Sequence, residues 1–201
     1  YLEDQDFWRL SGIERDVYVY AVDKTHISDV FVKALLDKSD YSTGLFNMEL
    51  DVEGVTNLIG VKTSLKSLEG EVVFEESQTI GNDANTAKIS LSKSIDNVKS
   101  WSAENPNLYQ LTIELNEDGN TFQATSLKVG FRTIEMKNGK LLVNGEPILL
   151  EGVNRHDHDP KTGHVVSREM MKKDVELFKT FNINAVRTSH YPNDPNFINN
   201  E

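Results

Sequence analysis

The feature that most constrains this chain is a change of hydrophobic period near Thr133. From Asp16 to about Phe131 the apolar residues come in short runs with two-residue alternation, the signature of strands with one covered face. Val17, Val19 and Ala21 alternate with Tyr18, Tyr20 and Val22, which reads as a strand partly covered on both faces. Further runs follow at 26–36, 44–55, 61–68, 71–75, 87–91, 108–115 and 122–131, separated by turn formers such as Asp37-Lys38-Ser39-Asp40 and Glu117-Asp118-Gly119-Asn120. Strands this short and this closely spaced, with no helical period among them, predict an immunoglobulin-like antiparallel β-sandwich.

After Thr133 the pattern is different. Asn138-Gly139 and Asn144-Gly145 are tight-turn dipeptides bracketing a short strand from Lys140 to Val143. Ile148-Leu149-Leu150 reads as a continuous apolar strand. Ser167 is positioned to cap a helix whose Met171, Val175 and Phe178 recur at helical spacing, and 184–188 reads as a second buried strand. Strand, helix, strand implies parallel pairing. One such unit cannot cover both faces of a parallel sheet, so the reading is the start of a truncated β/α (TIM) barrel. The fold class expected is mainly β, a sandwich followed by an incomplete barrel, and the chain reads as a segment of something longer.

Two polar clusters fall at the carboxyl ends of the expected parallel strands: Asn154, Arg155, His156, Asp157 and His158, then Arg187, Thr188, Ser189, His190 and Tyr191. In a β/α barrel that end carries the active site. Adjacent strands lie roughly 4.8 Å apart, so the clusters should be neighbours. Four of the five histidines (156, 158, 164 and 190) sit in this last quarter. Imidazole and guanidinium together suit hydroxyl-rich or anionic ligands, or a metal, and His156-Asp157-His158 is also a weak His-x-His metal pattern. A formal net charge of −11 argues against nucleic acid and anionic membrane surfaces as partners. Without cysteine there is no disulfide or thiolate chemistry, and the compartment stays open.

Several motifs occur in a fixed order: Leu2-Glu-Asp-Gln-Asp-Phe-Trp8, Trp101-Ser102 with Asn105-Pro-Asn-Leu-Tyr109, Val129-Gly-Phe-Arg132, Gly152-Val-Asn-Arg-His156 and Arg187-Thr-Ser-His-Tyr-Pro192. Together they resemble the large multidomain β-galactosidases of glycoside hydrolase family 2, and the first run points to galactosidase more narrowly than the others. The resemblance implies three parts: residues 1–22 as the tail of a jelly-roll sugar-binding domain, 23–131 as the sandwich, and 132–201 as the opening of the catalytic barrel. It implies that Asp6 binds a sodium ion and the galactose 6-hydroxyl, and that His156, Arg187 and His190 contact or orient the sugar. It further implies that the acid/base and nucleophilic glutamates of a retaining mechanism lie beyond Glu201, so no catalytic residue belongs to this segment. Sodium and magnesium ions, a β-galactoside substrate and a homo-oligomeric parent are the accompanying expectations. The competing readings are a non-catalytic sandwich or carbohydrate-binding module, a β-glucuronidase or β-mannosidase specificity, and a metal-dependent hydrolase barrel.

Overall fold

The computed structural model describes residues 10–81 and 85–198. They fall into two compact units. One spans residues 21–148, and the other combines the described residues up to Tyr20 with those from Leu149 onward.

The first unit is built on alternation. β1 (His26–Leu36), β2 (Gly44–Glu53), β3 (Ile59–Ser67), β4 (Val72–Ile80), β5 (Thr86–Ile95), β6 (Tyr109–Glu117) and β7 (Asn120–Val129) form two antiparallel sheets, ordered β1-β2-β5 and β4-β3-β6-β7. On β2 every second residue, Phe46, Met48, Leu50 and Val52, is buried; on β6 Leu111, Ile113 and Leu115 answer from the other sheet. Phe131 is fully buried and meets Tyr109 edge-on at 5.4 Å between ring centroids. Two inward faces interdigitating in this way make the expected immunoglobulin-like sandwich. Tyr109 stands at the start of β6, where its hydroxyl accepts a hydrogen bond from the Lys99 backbone N–H at 2.8 Å and ties the preceding crossover to the core. The turn after β2 depends on Gly54, at φ +68°: a Cβ there would lie 1.9 Å from the Lys24 carbonyl oxygen.

A small meander of β8 (Ile134–Lys137), β9 (Lys140–Val143) and β10 (Glu146–Pro147) completes this unit. Its two turns are the expected Asn-Gly pairs, each with both residues at positive φ. Thr133 joins it to the sandwich. The buried Thr133 hydroxyl donates to the Leu36 carbonyl and accepts from the Leu36 N–H, both at 2.8 Å. Its backbone N–H donates to the Asn144 side chain at 3.0 Å, and Asn144 in turn donates to the Trp101 carbonyl at 3.0 Å.

The second unit contains β11 (Gly152–Arg155), α1 (Arg168–Thr180), β12 (Ala185–Thr188) and α2 (Pro195–Ile198). β11 and β12 pair in parallel, Gly152 opposite Ala185 through Arg155 opposite Thr188. Ser167 caps α1 as expected, accepting from the Met170 N–H, and Met171, Val175 and Phe178 join Val186 and Phe197 in a small core.

Two expectations are corrected here. Residues 17–22 form no strand: Val17, Tyr18, Val19 and Tyr20 are exposed, and no described residue pairs with their backbone. Alternation alone does not make a strand when no neighbour satisfies the ladder. Ile148-Leu149-Leu150 is likewise not a strand, and Leu149 is 75% exposed. The pairing begins at Gly152 instead, where the missing side chain admits Ala185; a Cβ on Gly152 would meet the Ala185 carbonyl oxygen at 3.1 Å.

The second unit is held by buried charge. Arg155 Nη1 donates to Asp157 at 2.5 Å and Arg155 Nε to Asp174 of α1 at 2.9 Å, while its guanidinium carbon lies 4.2 Å from the Phe197 ring centroid. Arg15, from the N-terminal segment, donates to the other oxygen of Asp157 at 2.7 Å. Asp157 is 1% exposed.

Two substitutions test these joints. Thr133→Val keeps the volume but strands both Leu36 backbone groups, and should lower unfolding free energy by about 2–3 kcal/mol in denaturant titration. Asp157→Ala leaves two guanidinium groups facing a void, and should destabilise the second unit by about 3–5 kcal/mol, read as accelerated amide exchange in α1. Wild-type exchange in that variant would refute the central place given to the carboxylate.

Candidate active-site face

The residues of interest sit where β11 and β12 end. Strand alternation puts Val153 and Arg155 on the face of the sheet covered by α1, because Arg155 reaches Asp174 there and Val186 packs in the same small core. Asn154 and its register partner Arg187 therefore lie on the opposite face, and both are exposed. The two chains leave the sheet together: the Ser189 N–H donates to the Arg155 carbonyl at 2.9 Å, extending the pairing by one residue. Ser189 is fully buried and precedes a cis peptide bond to His190.

Beyond the strands, an imidazole cluster forms. His156 and His190 meet edge to face at 5.6 Å between centroids, so the two expected clusters do converge. His158 stacks on His156 at 5.0 Å with only 9° between ring planes. His164 lies 4.8 Å from His158, and Tyr191 lies 6.1 Å from His156 and 6.4 Å from His164. The cluster is anchored to backbone at two points. The Asp157 N–H donates to the Tyr191 hydroxyl at 2.8 Å, and His164 Nδ1 lies 2.9 Å from the Asp157 carbonyl oxygen. A carbonyl only accepts, so Nδ1 of His164 carries a proton.

The loop presenting His158 and His164 orders itself. Asp159 Oδ1 accepts from the Lys161 and Thr162 N–H groups at 2.8 and 3.0 Å, and backbone bonds between Asp159 and Gly163 close the turn. Those same N–H donors hold the Asp159 carboxyl below its ordinary range. His158 is pushed below the ordinary histidine value, first by burial, then by the neighbouring His164 and His156.

Of the residues singled out from sequence, His156 and His190 are brought together, whereas Arg187 lies back on the open strand face beside Asn154. Asp6 falls outside the described residues. Among the described residues no group of three His, Asp or Glu side chains is arranged to hold a metal. Sequence reasoning counted His158 and Tyr191 within the two clusters, gave His158 a part only in the metal reading, and noted His164 only as one of four histidines in the last quarter of the chain. Adjacency in sequence signalled Tyr191; the stacking of His158 on His156, two residues away, had no signal in sequence spacing.

Comparison with known proteins locates this arrangement. The family described as glycosyl hydrolases family 2 matches residues 25–132, and its TIM barrel domain matches residues 134–200. A β-galactosidase of Streptococcus thermophilus is 42% identical over 197 residues, covering 96% of this chain and 18% of that protein. One from Priestia megaterium is 43% identical over 201 residues, covering 96% and 19%. The chain thus spans about a fifth of the length of these curated relatives. Among solved structures, a β-glucuronidase of Bacteroides uniformis superimposes with a TM-score of 0.88 at 21% identity, over 98% of this chain and 25% of that one. A β-glycosidase of Bacteroides vulgatus gives 0.77 at 28% identity, over 88% and 22%. A sandwich followed by a parallel strand-helix-strand unit, matched along almost its whole length by family models and relatives, makes this chain a member of glycosyl hydrolase family 2.

Proposed function

We propose that this chain is part of a retaining β-galactosidase that releases terminal non-reducing β-D-galactose, and that it contributes sugar-binding side chains rather than the reacting carboxylates. The observation that carries the proposal is the meeting of His156 and His190 at the ends of two parallel strands. The relatives named as β-galactosidases support the choice of sugar.

Each residue then has a defined task. Retention requires two carboxylates roughly 5 Å apart, one as nucleophile and one as acid/base, and an oxocarbenium-like transition state between them. Asp157 is spent between Arg15 and Arg155, and Asp174 is spent on Arg155, so neither of these two described carboxylates serves as one of the pair. In this proposal the acid/base and nucleophilic glutamates lie outside this chain. His156 and His190 offer ring nitrogens that donate to sugar hydroxyls, and Arg187 adds a permanent cation on the open strand face. Fixed donors of this kind act by orientation and by stabilising charge as it develops. Sodium at Asp6, magnesium elsewhere and a homo-oligomeric assembly belong to the same proposal.

The test is kinetic and uses the whole protein. It should hydrolyse a chromogenic β-galactoside at least tenfold faster, in kcat/KM, than the matching β-glucuronide or β-mannoside; a preference for glucuronide would keep the family and overturn the sugar. His156→Ala should lower kcat/KM for the galactoside by about a hundredfold or more, the scale for losing one fixed donor, while the thermal midpoint stays close to wild type. Unaltered kinetics in that variant would remove His156 from the pocket.

A further inference from the structure

The imidazole of His158 is not one of the pocket residues named above, yet it makes the most ordered ring contact in the cluster. Its plane lies 9° from that of His156 at 5.0 Å, while the other ring contacts of the cluster are tilted or edge-on, at 44° to 89°. A parallel stack restricts rotation of both rings about their terminal torsion, which in histidine is otherwise broad. The support behind His158 is firm. His164 packs on it at 4.8 Å and is itself pinned through Nδ1 to the Asp157 carbonyl, and the loop carrying both is closed by Asp159.

We propose that His158 is a positioning residue for His156: its neutral ring, stacked face to face, holds the His156 imidazole in the orientation in which it faces His190 and meets the sugar. The role in sugar binding rests on the function proposed above; the stacking does not.

The neutral form matters for a simple electrostatic reason. Charge on both rings of a stack 5.0 Å apart is repulsive, so the neutral form of His158 favours the stack. Among the described residues, charged and titratable groups near the pair come from several elements. Arg155 precedes it on β11, Asp157 lies between the two residues, and His164 follows on the same loop. His190 and Tyr191 face it from the segment after β12, Asp174 lies on α1, and Arg15 is in the N-terminal segment. The Asp157 carboxylate, between the two residues in sequence, is matched by two arginines. Consistently, burial and the two neighbouring imidazoles hold His158 below its ordinary value. A base depressed in the folded state adds stability above its unfolded value near 6.5, and that stability is lost as pH falls below it. The stack should therefore open on the acid side.

The whole protein carrying [13Cε1]-histidine provides the test, comparing wild type with His158→Phe, which keeps a flat stacking ring without a titrating nitrogen, and His158→Ala, which removes the ring. At neutral pH the His156 resonance should move and broaden in His158→Ala, as a ring released from its stack does. In His158→Phe it should keep its wild-type linewidth. A His156 resonance unchanged in His158→Ala would overturn the proposal. Galactoside kinetics supply the second readout. His158→Ala should lower kcat/KM by about tenfold, mostly through KM, as expected for a misplaced ring, and His158→Phe should restore it to within about threefold with the acid limb moved to lower pH. A purely structural role would instead reduce the fraction of active enzyme and leave KM and the acid limb in place. If the whole protein cleaves no β-glycoside, the proposed function fails, and the His156 resonance still decides whether His158 positions His156.

Discussion

A guanidinium taken out of water must be matched, and Arg155 is matched on three sides. Asp157 takes one nitrogen, Asp174 of α1 takes another, and the ring of Phe197 lies beneath its plane. The core of this unit is small, with only Val166, Met171 and Phe197 buried among its described apolar residues. Apolar area of that extent does not specify how strand, helix and loop sit together. Directional, charge-assisted bonds do, since each geometry that breaks one leaves an unpaired ion in a dry site. The network thus aligns β11, α1 and the loop after His156, and Arg15 adds the N-terminal segment to the same carboxylate.

The imidazole cluster inherits its order from that carboxylate's own backbone. The N–H of Asp157 reaches Tyr191 and its carbonyl lies against His164, while its side chain is spent on arginines. One residue therefore serves both networks: its carboxylate is consumed by Arg15 and Arg155, and its backbone holds Tyr191 and His164.

The sandwich follows a different logic. Its strands are fixed by alternating burial across two sheets, and its polar joints are few but complete. Thr133 closes both backbone valences of Leu36 with a single hydroxyl, and Asn144 spans from Thr133 to Trp101. Arg132 lies over the Trp101 ring at 4.7 Å, so a cation covers one face of this tryptophan.

Much of this was readable beforehand, and the reason is periodicity. Two-residue alternation from β1 to β7, the Asn-Gly turns around β9, and the Ser167 cap with Met171, Val175 and Phe178 are local patterns with local causes, so the sequence by itself determined sandwich, hairpins, helix and parallel order. It also brought His156 and His190 to one face, since both follow strands that had to pair. What it could not determine was whether an alternating run finds a partner. Residues 17–22 and 148–150 carry strand-like composition and form none, because a strand exists only where another backbone completes its hydrogen bonds. Nor could spacing tell Asp157 from a pocket residue, or see His158 laid flat on His156. Those outcomes depend on which side chains a tertiary arrangement surrounds with matching charge, and that is decided in three dimensions alone.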